Sequence, residues 1–338
     1  MKSLFLAAMA ALALLVSCSK DYNEILDASK GGLVTVSFKS EELSSRVFFG
    51  TTSVAEAWEK ELKSVTMYVF DGSGNLHLQR DFSSGELSGK QAVFALPDVT
   101  AGDTYDFYAV ANHHPAGITN KASLLAALEK DASVYNGTFA EVTNAARRSD
   151  GFVMTGFTTK AIAAAGSSTD VTIVLKRTVA KVAIEITPSD AFGSVYPGGV
   201  RINSVTISKA ASQTPIIKSA TLSTGVMNFS STQVSNAASG KFRNLFYIYE
   251  NGNLAAGSRV KLTLNATYDK DGNFSTTGDQ TPMSYDVELS GTSAGAIQRN
   301  GYYRVAITVN GLSGNDASLT ITPAEWETPA TQTIQVGI

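Results

Sequence analysis

Residues 33–39 read LVTVSFK, with Val34, Val36 and Phe38 set against Thr35, Ser37 and Lys39. Alternation with a period of two marks a β-strand with one buried face and one wet face. The pattern recurs along most of the chain. Residues 64–70 (SVTMYVF) lead into the turn DGSGN at 71–75, and LHLQRDF follows at 76–82, a spacing that predicts a hairpin. AVFAL (92–96) and TYDFYAVAN (104–112) continue it, and DVTIVLKRTVAKVAIEI (170–186) predicts one long strand or two joined end to end. Further strands are predicted at VRINSVTIS (200–208), NLFYIYEN (244–251), RVKLTLNATY (259–268), MSYDVEL (283–289), YYRVAITVN (302–310) and ASLTIT (317–322). The tail TQTIQVGI (331–338) sets Ile334, Val336 and Ile338 against Thr333, Gln335 and Gly337. Helical patterning is confined to ASLLAALEKD (122–131) and TFAEVTNAARR (138–148). Many short strands punctuated by Gly, Asn and Ser turns predict an all-β chain of sandwiches with minor helical segments, not a parallel α/β sheet. The stretch around Leu175 is the expected junction between two domains.

The first residues do not fit this pattern. Lys2 precedes an uncharged apolar run, LFLAAMAALALLV (4–16), too short for the roughly 20 residues of a membrane-spanning helix. It has the length of a secretory signal's apolar region. The closing LVSC (15–18) resembles a bacterial lipobox, so residues 1–17 are expected to be a signal peptide and Cys18 the lipidated first residue of the mature chain. Cys18 is the single cysteine, so no internal disulfide framework can exist. Residues 19–32 (SKDYNEILDASKGG) read as a polar tether.

The 338 residues are 43% apolar and 17% charged with formal net charge −3, which suits one large or two medium domains. This near-neutral balance gives no basic stripe for nucleic acid. The lipid on Cys18 is the expected membrane link. Chemistry-bearing motifs are scarce. Among the three histidines, His113 and His114 are adjacent in NHHP, and neighbouring side chains on an extended segment face opposite ways, so a surface loop is expected and no metal. His77 stands apart. The sequence contains no HExxH or phosphate loop, so neither an enzyme nor a cofactor is expected.

Several stretches, in order along the chain, carry a resemblance to the fimbrillins, lipoprotein precursors of the type V pili of Bacteroidia. They are LVSC, RVFFG (46–50), SVTMYVFDG, YAVAN, MTG (154–156), LKRTVAKVAIEI (175–186), FYIYEN (246–251), IQRNGYYRVAITV (297–309) and TPAEW (322–326). The chain looks most like the major, stalk-forming subunit. The resemblance implies two transthyretin-like β-sandwich domains in tandem, residues 47–174 and 175–338. It implies export as a lipoprotein to the outer membrane and cell surface, and a cut by an arginine-specific protease between Arg46 and Val47. That cut would shed the propeptide 18–46 with its temporary completing strand (Val34, Val36, Phe38). Ile334, Val336 and Ile338 of another copy would replace it, giving a head-to-tail filament that works with tip and anchor subunits in adhesion and biofilm formation. SKD after Cys18 only partly resembles the family's acidic export signal. A tip or anchor subunit is the alternative within the family. A glycan-binding β-sandwich lipoprotein is the alternative outside it, and it calls for exposed aromatics, whereas Trp58 and Trp326 are the only tryptophans and Trp326 in AEW is expected to be buried.

Overall fold

The computed structural model describes residues 31–39, 49, 55–164, 167–222, 226–289, 295–312 and 317–325. Nine strands fall in the first half: β1 (Gly31–Lys39), β2 (Val65–Phe70), β3 (Leu76–Asp81), β4 (Gln91–Pro97), β5 (Thr104–Ala111), β6 (Leu128–Glu129), β7 (Met154–Ala161), β8 (Ser168–Val174) and β9 (Lys176–Arg177). Sheet β4-β1-β8 packs face to face on sheet β3-β2-β5-β7-β9. Their shared core holds Val34, Val36 and Phe38 with Met67, Val69, Phe94, Phe107, Val171 and Ile173.

The second sandwich uses β10 (Val179–Pro188), β11 (Gly199–Ala210), β12 (Thr214–Pro215), β13 (Phe229–Val234), β14 (Asn236–Ala238), β15 (Lys241–Tyr249), β16 (Lys261–Asp269), β17 (Gln280–Glu288), β18 (Gly301–Val309) and β19 (Ala317–Glu325). Sheet β14-β15-β10-β18-β19 packs on sheet β13-β11-β16-β17 around Val182, Ile184, Ile186, Val205, Ile207, Leu262, Leu264, Val305 and Ile307. Leu175 belongs to the first core and Ala180 to the second. The run 170–186 is therefore three strands, β8, β9 and β10, interrupted at Leu175 and Thr178.

Two strands are apolar on both faces because both faces are covered. In β2, Val65, Met67 and Val69 point into the first core, while Tyr68 and Phe70 point outward beneath Ile118, Leu124, Ile216 and Ile217. In β10, Val182 and Ile184 face the second core, and Val179 and Ala183 face a cluster with Tyr135, Val142, Phe152, Tyr247 and Tyr249. Residues of the β5–β7 connection and of the β12 region thus fill the space between the sandwiches.

The helical segments are shorter than their patterns predict. In place of a helix over 122–131, α1 spans Lys121–Ala126, capped by Asn120, because Leu128 and Glu129 leave it to pair with β12 as β6. The second patch gives α2 (Phe139–Asn144), opened by a capping box between Thr138 and Glu141.

An exposed sheet edge invites pairing with another chain. β14 covers only the first residues of β15. Farther along, side-chain amides stand in for the missing strand. Asn136 Nδ2 donates to the Tyr247 carbonyl (2.7 Å) and Asn136 Oδ1 accepts from the Tyr247 N–H (2.9 Å). Gln233 repeats the arrangement on Leu245, at 3.2 and 2.9 Å. Asn136→Ala strands two buried backbone groups, each costing about 1–3 kcal/mol. A lower urea midpoint with an unchanged m-value is the expected result.

Candidate functional site

β1 is the middle strand of its sheet although it stands ahead of both sandwich cores in the sequence. It pairs antiparallel with β4, from Gly31↔Pro97 to Ser37↔Gln91, and parallel with β8, from Leu33↔Ser168 to Lys39↔Val174. Both of its edges are satisfied, and without it β4 and β8 would face each other across a gap of about two strand spacings, roughly 9.5 Å.

Alternation decides what each face does. Val34 and Val36 are 0% exposed and Phe38 4%. Val34 sits between Phe94 and Thr169, Val36 between Ala92 and Val171, and the Phe38 ring lies 5.1 Å from that of Phe82. On the outer face, Thr35 Oγ1 shares a hydrogen bond with Ser168 Oγ (2.8 Å) and Ser37 Oγ with Thr172 Oγ1 (3.3 Å). Gly32 meets a tight spot, since a Cβ there would lie 2.6 Å from Ile162 Cγ2. The groove accepts a strand with apolar side chains at alternate positions and a small residue at one end.

Downstream, the chain is fastened to the second sandwich. The Arg243 guanidinium lies 4.9 Å from the Phe49 ring centroid, and Phe49 stacks on Phe139 at 6.2 Å. Ten residues on, Glu59 is fully buried and forms an ion pair with Lys181 Nζ at 2.9 Å. The Tyr247 hydroxyl also donates to Glu59, and Arg177 Nε donates to its carbonyl (2.7 Å). Burial drives the Lys181 ammonium pKa down, against the opposing charge and hydrogen bonds of Glu59. Arg299 makes a second buried pair with Glu250 and donates to the Ile216 carbonyl (2.9 Å), which holds the cover over Tyr68 and Phe70.

Glu129 is the titrating group at this junction. It accepts from the Tyr135 hydroxyl and from Thr178 Oγ1 (2.6 Å). Burial nonetheless lifts its pKa above the ordinary 4.5, against those hydrogen bonds. The folded chain therefore holds this proton more tightly than the unfolded chain, and its contribution to stability is lost as pH rises from about 4.5 through the raised value. Glu129→Gln is expected to flatten that descending limb in urea titrations run at a series of pH values.

Of the residues singled out in the sequence, Val34, Val36 and Phe38 come together in the groove. Cys18, Arg46, Val47, Ile334, Val336, Ile338 and Trp326 lie outside the described residues. The histidines are dispersed: His77 Nε2 contacts the Pro97 carbonyl (2.7 Å), His114 Nδ1 lies 3.1 Å from Thr66 Oγ1, and His113 lines a cavity with Arg147 and Arg148. Pattern reading missed the staple of Phe49, Glu59 and Lys181. Its one trace is a lysine at an inward position of an otherwise apolar run, VAKVAI.

Two stacked β-sandwiches, the first completed by a strand from the chain's leading segment, define a β-sandwich protein with no helix among the described residues long and apolar enough to cross a membrane. The sequence profile of the fimbrillin-A associated anchor proteins Mfa1 and Mfa2 matches residues 29–329, and the chain belongs to that family. It is a structural fimbrial protein of the cell surface whose class associates with other fimbrial subunits. No curated protein sequence matches it. Among solved structures, a candidate cell adhesion protein of Bacteroides eggerthii is 16% identical with a TM-score of 0.59, covering 90% of this chain and 98% of that one. The fimbrilin FimA of Porphyromonas gingivalis is 14% identical with a TM-score of 0.58, covering 90% and 100%. The tip fimbrial protein Mfa3 of the same organism, with a C-terminal truncation, is 15% identical with a TM-score of 0.53, covering 87% and 98%. At these identities the likeness establishes the fold.

Proposed function

We propose that the chain is the precursor of a fimbrial stalk subunit in which β1 is a placeholder strand. Lipid on Cys18 carries it to the outer membrane. An arginine-specific protease then cuts between Arg46 and Val47, and β1 leaves with residues 18–46. The vacated groove takes residues 331–338 of another copy, whose Ile334, Val336 and Ile338 repeat the spacing of Val34, Val36 and Phe38. Donor and acceptor surfaces differ, so the contact runs head to tail and does not close, and a filament results.

The carrying observation is the seat of β1, central between β4 and β8 and preceding the fastened segment at Phe49 and Glu59. A cut between these regions frees the strand and leaves the downstream chain anchored. While tethered, β1 has a high effective concentration for its own groove and excludes other strands. Burial of its three apolar side chains contributes roughly 5–9 kcal/mol gross, at about 1.5–3 each. An incoming strand of the same pattern recovers a similar amount.

The family match to anchor proteins favours a second reading, an anchor subunit that keeps β1 in place and holds the base of the pilus to the membrane. Treatment of the unlipidated chain with an arginine-specific protease separates the two. The stalk reading expects a new N-terminus at Val47 by mass spectrometry and filaments by electron microscopy that are lost when residues 331–338 are deleted. A chain that resists the cut and stays monomeric is an anchor.

A further inference from the structure

The hairpin joining β16 and β17 carries Asp269, Asp271 and Asp279. One carboxylate oxygen from each lies within 4.8 Å of the others, the one group of three or more such ligands among the described residues. In each carboxylate one oxygen is held by the protein. Asp269 Oδ2 accepts from Gln280 Nε2 (3.0 Å), Asp271 Oδ1 from the Asn273 N–H (2.8 Å), and Asp279 Oδ2 from the Asp271 N–H (3.2 Å).

Asp269 is 0% exposed, and its Oδ1 is buried with no hydrogen-bond partner. Among the described residues no lysine, arginine or histidine pairs with any of the three, whereas Asp106, Glu185 and Glu250 each have a cation in contact. A buried carboxylate oxygen without a partner is costly. The cover over Asp269 comes from its own loop and the turn before β11. There Gly198 has φ +99°, and a Cβ would lie 2.1 Å from the Asp269 carbonyl oxygen. Asp271 is exposed, which leaves a way in for a small ion.

From this geometry we infer that Asp269, Asp271 and Asp279 bind a divalent cation, with Ca2+ the best fit. The donors are hard oxygens, which suit Ca2+ and Mg2+ rather than softer metals. Ca2+ tolerates irregular shells of 6–8 oxygens at about 2.3–2.6 Å, whereas Mg2+ demands a near-ideal octahedron. Water entering beside Asp271 completes the shell. The ion ties the tip of β17, an edge strand of its sheet, to the end of β16. This site is independent of the reading of β1.

The test is Tb3+ luminescence on the intact chain after EDTA treatment, excited through tyrosine, since Tyr268 precedes Asp269 in sequence. The site predicts a saturable signal displaced by Ca2+ at lower concentration than by Mg2+, together with a rise in Tm on adding Ca2+. Asp271→Asn changes an exposed residue. It is expected to weaken Ca2+ about 10-fold or more and to shrink the Tm rise at a given Ca2+ concentration, with the circular dichroism spectrum unchanged. Asp279→Asn gives a second, independent loss. The inference is overturned if the wild-type chain shows no saturable binding, or if both variants bind with wild-type affinity, which would place the ion elsewhere.

Discussion

A Val36→Asp chain will assemble without protease treatment. Val36 is fully buried between Ala92 and Val171, so the substitution removes about 1.5–3 kcal/mol of apolar burial. It also places a carboxylate among the apolar side chains of the first core, where burying a charge is strongly disfavoured. Together these effects offset most of the roughly 5–9 kcal/mol gross that seats β1. The strand then leaves its groove while still covalently attached, and β4 and β8 are exposed as they would be after a cut. Thr35→Asp, one residue away on the half-buried outer face, leaves β1 seated and the chain monomeric. Size-exclusion chromatography and electron microscopy of the two variants, with Arg46 intact in both, provide the check.

Glu59→Ala will destabilise the chain by about 3–5 kcal/mol, because removing one partner of a buried ion pair forfeits the attraction that offsets the other's desolvation. The charge left behind is that of Lys181, 1% exposed at its side chain, and the Tyr247 hydroxyl loses its bond to Glu59 as well. Lys181→Met combined with Glu59→Gln removes both charges at similar volume, and this double variant is expected to recover most of the loss. Urea unfolding of Glu59→Gln, Lys181→Met and the double variant gives the coupling directly. A loss below about 1 kcal/mol for Glu59→Ala would mean that the pair behaves like a solvated surface bridge.

The sandwiches were legible wherever a strand has one wet face. VTVSFK and DVTI alternate strictly, and β1 and β8 follow them. The fully covered strands were legible as strands, but what covers them was not. Nothing local in VTMYVF says that Ile216 and Ile217, some 150 residues on, will lie over Tyr68 and Phe70. The helix expected over 122–131 failed for the same reason, since pairing of Leu128 and Glu129 with Thr214 and Pro215 outweighed local helix propensity. The Asn136 and Gln233 amides that imitate a strand carry no periodic signal, because each is a single residue acting on a distant backbone group, 111 and 12 residues away. Asp279 joins Asp269 and Asp271 only once the hairpin closes, so spacing alone does not single out the trio. Val34, Val36 and Phe38 were legible as a strand from their alternation. Their seat between β4 and β8 depends on partners about 60 and 135 residues away.

The central claim is that β4 and β8 form a groove whose strand can be exchanged. The most direct measurement is hydrogen exchange by mass spectrometry on the peptides covering Gln91–Pro97 and Ser168–Val174. It is taken before the arginine-specific cut, immediately after it, and after assembly. Amides that are protected, then open, then protected again are the expected result, with the final protection missing in a chain that lacks residues 331–338. Protection that persists through the cut and through assembly, with residues 31–39 still bound, would contradict it.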